Sequence, residues 1–240
     1  MKKVELKTRL NKHLAQAGIA SRREADRLIS LGLVTVNGKI VCEMGYKVNK
    51  NDIVVFDGKK VVSEQKRYVL LNKPKNCITT TDDPQKRNTV MHLIKGSCKE
   101  RVYPVGRLDR NTTGLLLFTN DGDLAKKLTH PSSKVKKMYH VVLNKKISQK
   151  DLNKIKKGVK LEEGTVLADS VSFIKNTPKN EVGIELHLGW NRVVRRLFEK
   201  LGYSVVKLDR VMFSFLTKKN LQRKKWRFLT KEEITLLKRI

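Results

Sequence analysis

Between Val105 and Gly122 the chain reads Val105-Gly106-Arg107-Leu108-Asp109-Arg110-Asn111-Thr112-Thr113-Gly114-Leu115-Leu116-Leu117-Phe118-Thr119-Asn120-Asp121-Gly122. The apolar residues Leu115 to Phe118 form a continuous run of strand length between turn-forming segments, which specifies a buried strand fed by a polar loop. Asn120-Asp121-Gly122 then turns the chain into Asp123-Leu124-Ala125-Lys126-Lys127-Leu128, a helix with an acid at its start. Rigid elements therefore hold the loop. Inside it Asp109 stands between Arg107 and Arg110, and neighbouring cations favour an ionised carboxylate that can serve as nucleophile or base. An Asp flanked by arginines is more often a surface ion pair, so the loop alone favours that reading over the catalytic one.

Charge narrows the class of partner. Lys and Arg number 53 against 23 Asp and Glu, a formal net charge of +30 that a phosphate polymer rewards through counterion release. Residues 1–66 carry 14 Lys and Arg against 7 Asp and Glu, net +7, and the remainder carries 39 against 16, net +23. Both parts are expected to touch nucleic acid. With 39% hydrophobic residues the basicity sits on a packed core and not on a disordered tail. Cys42, Cys77 and Cys98 lack C-x-x-C spacing, which argues against a disulfide framework and a zinc ribbon and fits a reducing compartment. His13, His92, His130, His140 and His187 lack zinc-like spacing, and neither a Walker loop nor a dinucleotide fingerprint occurs, so no metal and no nucleotide cofactor is expected. Apolar runs stay far below membrane-span length, and Lys2 to Lys12 has no signal-peptide core. A soluble, cytoplasmic, monomeric protein without a membrane partner is expected.

The N-terminal segment has its own pattern. Leu10, Leu14 and Ala17 recur at helical spacing and stop at Gly18, and Ser21 with Glu24 predicts a capping box on a second helix. That helix would turn Ala25, Leu28 and Ile29 inward and Arg22, Arg23 and Arg27 outward. Asn37-Gly38 between Val34-Thr35-Val36 and Lys39-Ile40-Val41 predicts a tight hairpin. Arg9 to Leu14, Ala17 to Ala25 and Val34 to Gly38 resemble the small S-four-like RNA-binding domain shared with a small-subunit ribosomal protein. The resemblance implies RNA contacts at Lys12, Arg22, Arg23 and Arg27. The polar stretch Ser63 to Arg67 predicts a linker at 63–67 between a domain at 1–62 and a second at 68–240.

In the second part, Gly106-Arg107-Leu108-Asp109, Thr113-Gly114-Leu115-Leu116 and Thr119-Asn120-Asp121-Gly122 resemble the catalytic signature of bacterial ribosomal pseudouridine synthases of the RsuA/RluB type. Three further blocks follow that family's order: Leu70-Leu71-Asn72-Lys73-Pro74 with Thr79-Thr80, Lys137-Met138-Tyr139-His140-Val141, and Trp190-Asn191-Arg192-Val193-Val194-Arg195-Arg196-Leu197. Asn111 to Phe118, Thr129-His130-Pro131 and Leu221 to Trp226 look closest to the large-subunit branch. The resemblance implies an α+β catalytic domain with a mixed, mainly antiparallel sheet flanked by helices and an active cleft crossing its middle. It implies isomerisation of uridine to pseudouridine in ribosomal RNA, most closely large-subunit rRNA, on free RNA or a pre-ribosomal particle. It also implies Asp109 as the reacting carboxylate, Arg195 as a buried cation paired with it, and Tyr139 as a ring stacked on the flipped base. Further RNA contacts are expected at Lys73, Arg107, Arg110, Asn191, Arg192 and Arg196.

Two rivals remain: the same chemistry on small-subunit rRNA or tRNA, and a non-catalytic assembly factor. Intact Asp109, Tyr139 and Arg195 speak against the second. The arginine block departs from the family pattern at Leu188 and Val193, which bears on substrate contacts, and Asn76 stands where the family has glycine. Asn tolerates a left-handed backbone, so that change is mild. Alternating patterns at 166–173 and 182–188 predict strands, 150–157 and 193–201 predict helices, and Lys231 to Ile240 a closing helix.

Overall fold

The computed structural model describes residues 7–240, and the chain divides into one compact unit ending at Lys66 and another beginning at Arg67. The first contains β1 (Thr8–Arg9), α1 (Leu10–Gln16), α2 (Arg22–Ser30), β2 (Val34–Val36), β3 (Lys39–Ile40), β4 (Lys47–Val48), β5 (Val54–Phe56) and β6 (Lys59–Lys60). Leu10, Leu14, Ala25 and Ile29 from the helices close over Val34, Val36 and Val54. Asn37 and Gly38 both take left-handed backbone, at φ 51° and 81°, as a two-residue hairpin turn with the strands' own twist demands. Asp57-Gly58 repeats the device between β5 and β6, at φ 47° and 72°. The Ser21 hydroxyl caps α2 by accepting from the Glu24 amide at 3.2 Å. The expected return half of the capping box gives way to an ion pair, because the Glu24 carboxylate takes the Arg27 guanidinium at 2.7 Å.

The second unit contains β7 (Tyr68–Lys73), α3 (Val90–Leu93), β8 (Tyr103–Pro104), β9 (Thr113–Thr119), α4 (Gly122–Thr129), β10 (Lys137–Leu143), α5 (Gln149–Lys157), β11 (Val159–Leu161), β12 (Gly164–Val166), β13 (Ser170–Phe173), β14 (Glu181–Leu186), α6 (Val193–Lys200), β15 (Val205–Phe213), β16 (Leu216–Thr217), β17 (Trp226–Phe228) and α7 (Lys231–Arg239). Its main sheet runs β13-β14-β10-β15-β9-β7-β17, with β16 on β15 and β8 on β9. The β15–β9 pair is parallel and the other pairs of this sheet are antiparallel. The architecture is α+β, as expected.

The apolar run of β9 is explained by layers on both faces. Leu115 and Leu117 pack with Leu124, Leu128 and Leu237, whereas Leu116 and Phe118 pack with Val90, Ile94 and Val102. All four are 0% exposed, and burying each stabilises the unit by roughly 2 kcal/mol. On the other half of the sheet, Val141, Val182 and Ile184 meet Leu152 and Ile155 of α5 and Leu197 and Phe198 of α6.

The halves join at Gly114, whose φ is +107°; a Cβ there would lie 2.2 Å from the Arg210 carbonyl oxygen. Only glycine lets β9 run this close to β15. One predicted strand is corrected. Residues 166–173 are not one strand: β12 ends at Val166 and β13 starts at Ser170, and Val166 and Val171 are both buried at an odd spacing that a continuous strand would put on opposite faces.

Candidate active site

The loop before β9 is fixed from β7. Lys73 has no solvent exposure, and its ammonium donates to the backbone oxygens of Asp109 at 3.0 Å, Arg110 at 3.3 Å and Thr112 at 2.8 Å. Burial lowers its pKa to about 8, with the Asp109 charge pulling the other way. Thr79 holds the preceding residue: its hydroxyl donates to the Leu108 oxygen at 2.8 Å and accepts from the Leu108 amide at 3.3 Å. The expectation that Lys73 contacts RNA is thereby corrected, since carbonyls of the loop engage its ammonium and no face reaches solvent. Asn76 takes φ 58°, the left-handed backbone that glycine would supply.

Asp109 opens into a cleft of about 460 Å³ that runs over β10 and β15, with Tyr139, Lys137 and Arg210 in its lining and Leu108, Leu208 and Phe213 as apolar wall. Among the described residues no hydrogen bond or ion pair engages the Asp109 carboxylate. Arg107 and Arg110, expected to bracket it, are exposed at the cleft edge instead.

Tyr139 on β10 lies directly across from Arg210 on β15. Arg210 is 3% exposed; its Nε donates to the Leu115 oxygen at 2.7 Å. Burial disfavours its charged form, and the neighbouring Tyr139 phenol opposes that effect. Lys137 donates to the His187 oxygen at 2.8 Å, and burial, then repulsion from Arg210, lowers its pKa to about 8. Neither Lys137 nor Arg210 was among the sequence-predicted site residues. Lys137 stands two positions before Tyr139, which puts both on one face of β10, and that spacing was the available signal. Arg210 becomes recognisable only through strand register.

Arg195 on α6 is half-buried. Its Nη1 donates to the Val205 oxygen at 2.8 Å, while burial and Arg192 lower its pKa and the Asp109 charge raises it. The charges of Arg195 and Asp109 thus act on one another, but the expected direct pair is absent because the guanidinium is anchored on β15. Asn191 and Arg192 are exposed at the cleft, Arg192 in left-handed backbone at φ 48°. Arg196 is also corrected. Both its Nη atoms fork onto Glu163, at 2.8 and 2.6 Å, and its Nε donates to the Asn191 oxygen, so it clamps the 189–192 loop. In the N-terminal unit Arg22 and Arg23 are exposed, Arg27 is exposed but paired with Glu24, and Lys12 is half-buried.

Residues 67–200 match the family described as RNA pseudouridylate synthase, and residues 8–54 match the S4 domain. The chain belongs to the RNA pseudouridylate synthase family. A family member from Bacillus subtilis, named ribosomal large subunit pseudouridine synthase B, is 42% identical across 96% of this chain and 95% of its own. An uncharacterized RNA pseudouridine synthase from Aquifex aeolicus is 41% identical across 97% and 94%. A solved structure described as a pseudouridylate synthase superposes with a TM-score of 0.69 at 28% identity, covering 95% of this chain and 99% of the other.

Pseudouridylate synthesis is an isomerisation: the bond from ribose to the base nitrogen is exchanged for one to carbon 5, with no atom gained and no redox change. The cleft has the parts such a reaction uses, namely a free carboxylate, an aromatic ring and cations behind an apolar wall. Leu188 and Val193, where the arginine block departs from the family pattern, also line the cleft. Both are apolar and carry no charge. Among the described residues no group of three or more His, Cys, Asp or Glu is arranged to hold a metal ion.

Proposed function

We propose that this pseudouridylate synthase modifies large-subunit ribosomal RNA, with Asp109 as the group that acts on the ribose. The observation that carries the reading is the Asp109 carboxylate itself, left without a partner in a cleft while three backbone carbonyls of its loop are tied down by Lys73. A carboxylate so placed is held for something other than the fold. Attack on the anomeric carbon and removal of the ribose 2′ proton both need that geometry. The ring of Tyr139 takes the flipped base, and Arg195 stabilises the charge on Asp109 from its anchor on Val205. A target inside RNA structure is extruded to reach the cleft, with Arg107, Arg110, Asn191 and Arg192 at the rim for the flanking backbone.

The large-subunit substrate is supported by the Bacillus relative and by a Xylella fastidiosa relative of the same name, 37% identical across 98% of this chain and 51% of its own. The S4 unit, within the domain proposed at 1–62 ahead of a linker at 63–67 and a catalytic domain at 68–240, is a second RNA anchor through Arg22 and Arg23. Two tethered RNA sites raise each other's effective concentration. The protein acts as a cytoplasmic monomer on rRNA or a pre-ribosomal particle; among the described residues no helix is long and apolar enough to cross a membrane. Carbodiimide-primer extension on rRNA from a deletion strain, complemented by wild type or Asp109→Asn, tests the proposal. Loss of one large-subunit stop that only wild type restores is the expected result; a lost stop in small-subunit rRNA, or none, overturns it.

A further inference from the structure

Beside Tyr139 the cleft holds a charge that the fold uses only in part. Arg210 is almost wholly buried, one of its nitrogens is committed to the Leu115 oxygen, and yet its Nη2 has no hydrogen-bond partner. The Phe213 ring, 5.0 Å from its Cζ, covers another side. A buried donor on a charged group that goes unpaired is destabilising, and an apolar side chain of similar volume would avoid that penalty. Lys137, the other buried cation of the lining, spends its ammonium on the His187 oxygen. Arg210 is itself part of the cleft lining, so a group bound on the cleft floor lies beside this guanidinium.

Uracil is such a group, and the reaction makes it negative. When the C1′–N1 bond breaks, the electron pair leaves with the base and spreads over N1, O2 and O4. The base then turns, C5 bonds to C1′, one proton leaves C5, and one is taken up at N1. Between the two bond changes the anion must be held in the cleft while free to rotate. Its carbonyl oxygens are the acceptors that a fixed donor can follow.

We propose that Arg210 is a further catalytic residue, whose free guanidinium donor pairs with a carbonyl oxygen of the detached uracil and stabilises the anionic base between bond breaking and bond making. The inference rests on the reading of this cleft as the place where Asp109 meets the ribose. A guanidinium suits the task better than an ammonium, because one nitrogen can stay anchored on Leu115 while another serves the base. The charge needs no reorganisation when the anion forms.

The test uses full-length Arg210→Gln and Arg210→Lys with unmodified large-subunit rRNA transcripts under single-turnover conditions. Arg210→Gln should slow pseudouridine formation by about 100-fold at saturating enzyme, with RNA affinity within a fewfold of wild type, and Arg210→Lys should lose less. Transcripts carrying 5-fluorouridine supply a more acidic leaving base that depends less on the donor. On them the loss, read as disappearance of 5-fluorouridine by mass spectrometry of the digest, should shrink clearly. A merely structural role predicts equal losses on both transcripts. Equal losses, or wild-type rates in Arg210→Gln, would overturn the inference; if Arg210→Gln does not fold, Arg210→Lys carries the same comparison. An active Asp109→Asn would remove the reading of the cleft, whereas an inactive Asp109→Asn beside a fully active Arg210→Gln removes this inference alone.

Discussion

The Lys73 ammonium lies 3.0 Å from the backbone oxygen of Asp109, a residue 36 positions further along the chain, and it does so with no exposure to solvent. The position of the carboxylate is therefore set from β7 and not by its neighbours in sequence. Lys73→Met removes the donor and leaves the Asp109, Arg110 and Thr112 carbonyls without it. We expect a loss on the order of 3 kcal/mol in urea denaturation, and a fall in single-turnover rate that persists at temperatures where the variant remains folded. Wild-type turnover in Lys73→Met would show that the loop holds itself.

Lys137 gives a pH signature. Its pKa is about 8 in the folded chain against an ordinary value of 10.5, so between these values the unfolded chain binds more protons than the folded one. Stability from this group therefore rises with pH across that window and is lost as pH falls through about 8. Lys137→Met lacks the effect. The stability of wild type relative to Lys137→Met should increase from pH 8 to pH 10 in parallel urea titrations, and a flat or falling difference would contradict the burial of this ammonium.

Arg195 reaches Asp109 by charge while one of its nitrogens is held by Val205. Arg195→Ala should cost activity well beyond its effect on stability, and Arg195→Lys should recover only part, because one ammonium cannot keep the Val205 anchor and also face Asp109. Full activity in Arg195→Lys would mean that the anchor is unimportant.

In the N-terminal unit, Arg22 and Arg23 are exposed, whereas Arg27 is engaged by Glu24. Replacing Arg22 and Arg23 by Ala should raise the apparent KM for rRNA with little change in kcat, and lower the slope of log affinity against log salt by up to about 2. Arg27→Ala alone should do less. Unchanged capture at physiological salt in the double variant would assign this face to another partner.

Much of this arrangement is readable from local patterns. The β9 run, the Asn37-Gly38 turn and the Asp109 loop announce themselves because short-range rules decide them: an apolar run must be covered, and two left-handed residues favour Asn-Gly. What local pattern could not supply is the fate of individual cations. In a chain with so many basic residues, Lys73 and Arg196 look like phosphate ligands. Their real partners, the carbonyls of the Asp109 loop and the Glu163 carboxylate, come from distant segments. Arg210 is hidden for the same reason, since only the pairing of β15 with β10 and β9 puts it opposite Tyr139 and against Gly114. The Asp57-Gly58 turn, by contrast, was available from the same dipeptide rule as Asn37-Gly38.

The central claim is that Asp109 performs the chemistry, and Asp109→Asn tests it most directly. Asn keeps the shape and the backbone bonds to Lys73 and removes the charge and basicity. Single-turnover assays on large-subunit rRNA transcripts, with RNA affinity measured in parallel, should show pseudouridine formation abolished and binding within a fewfold of wild type. Turnover within about tenfold of wild type would contradict the account, because a general acid–base or nucleophilic group is worth more than that.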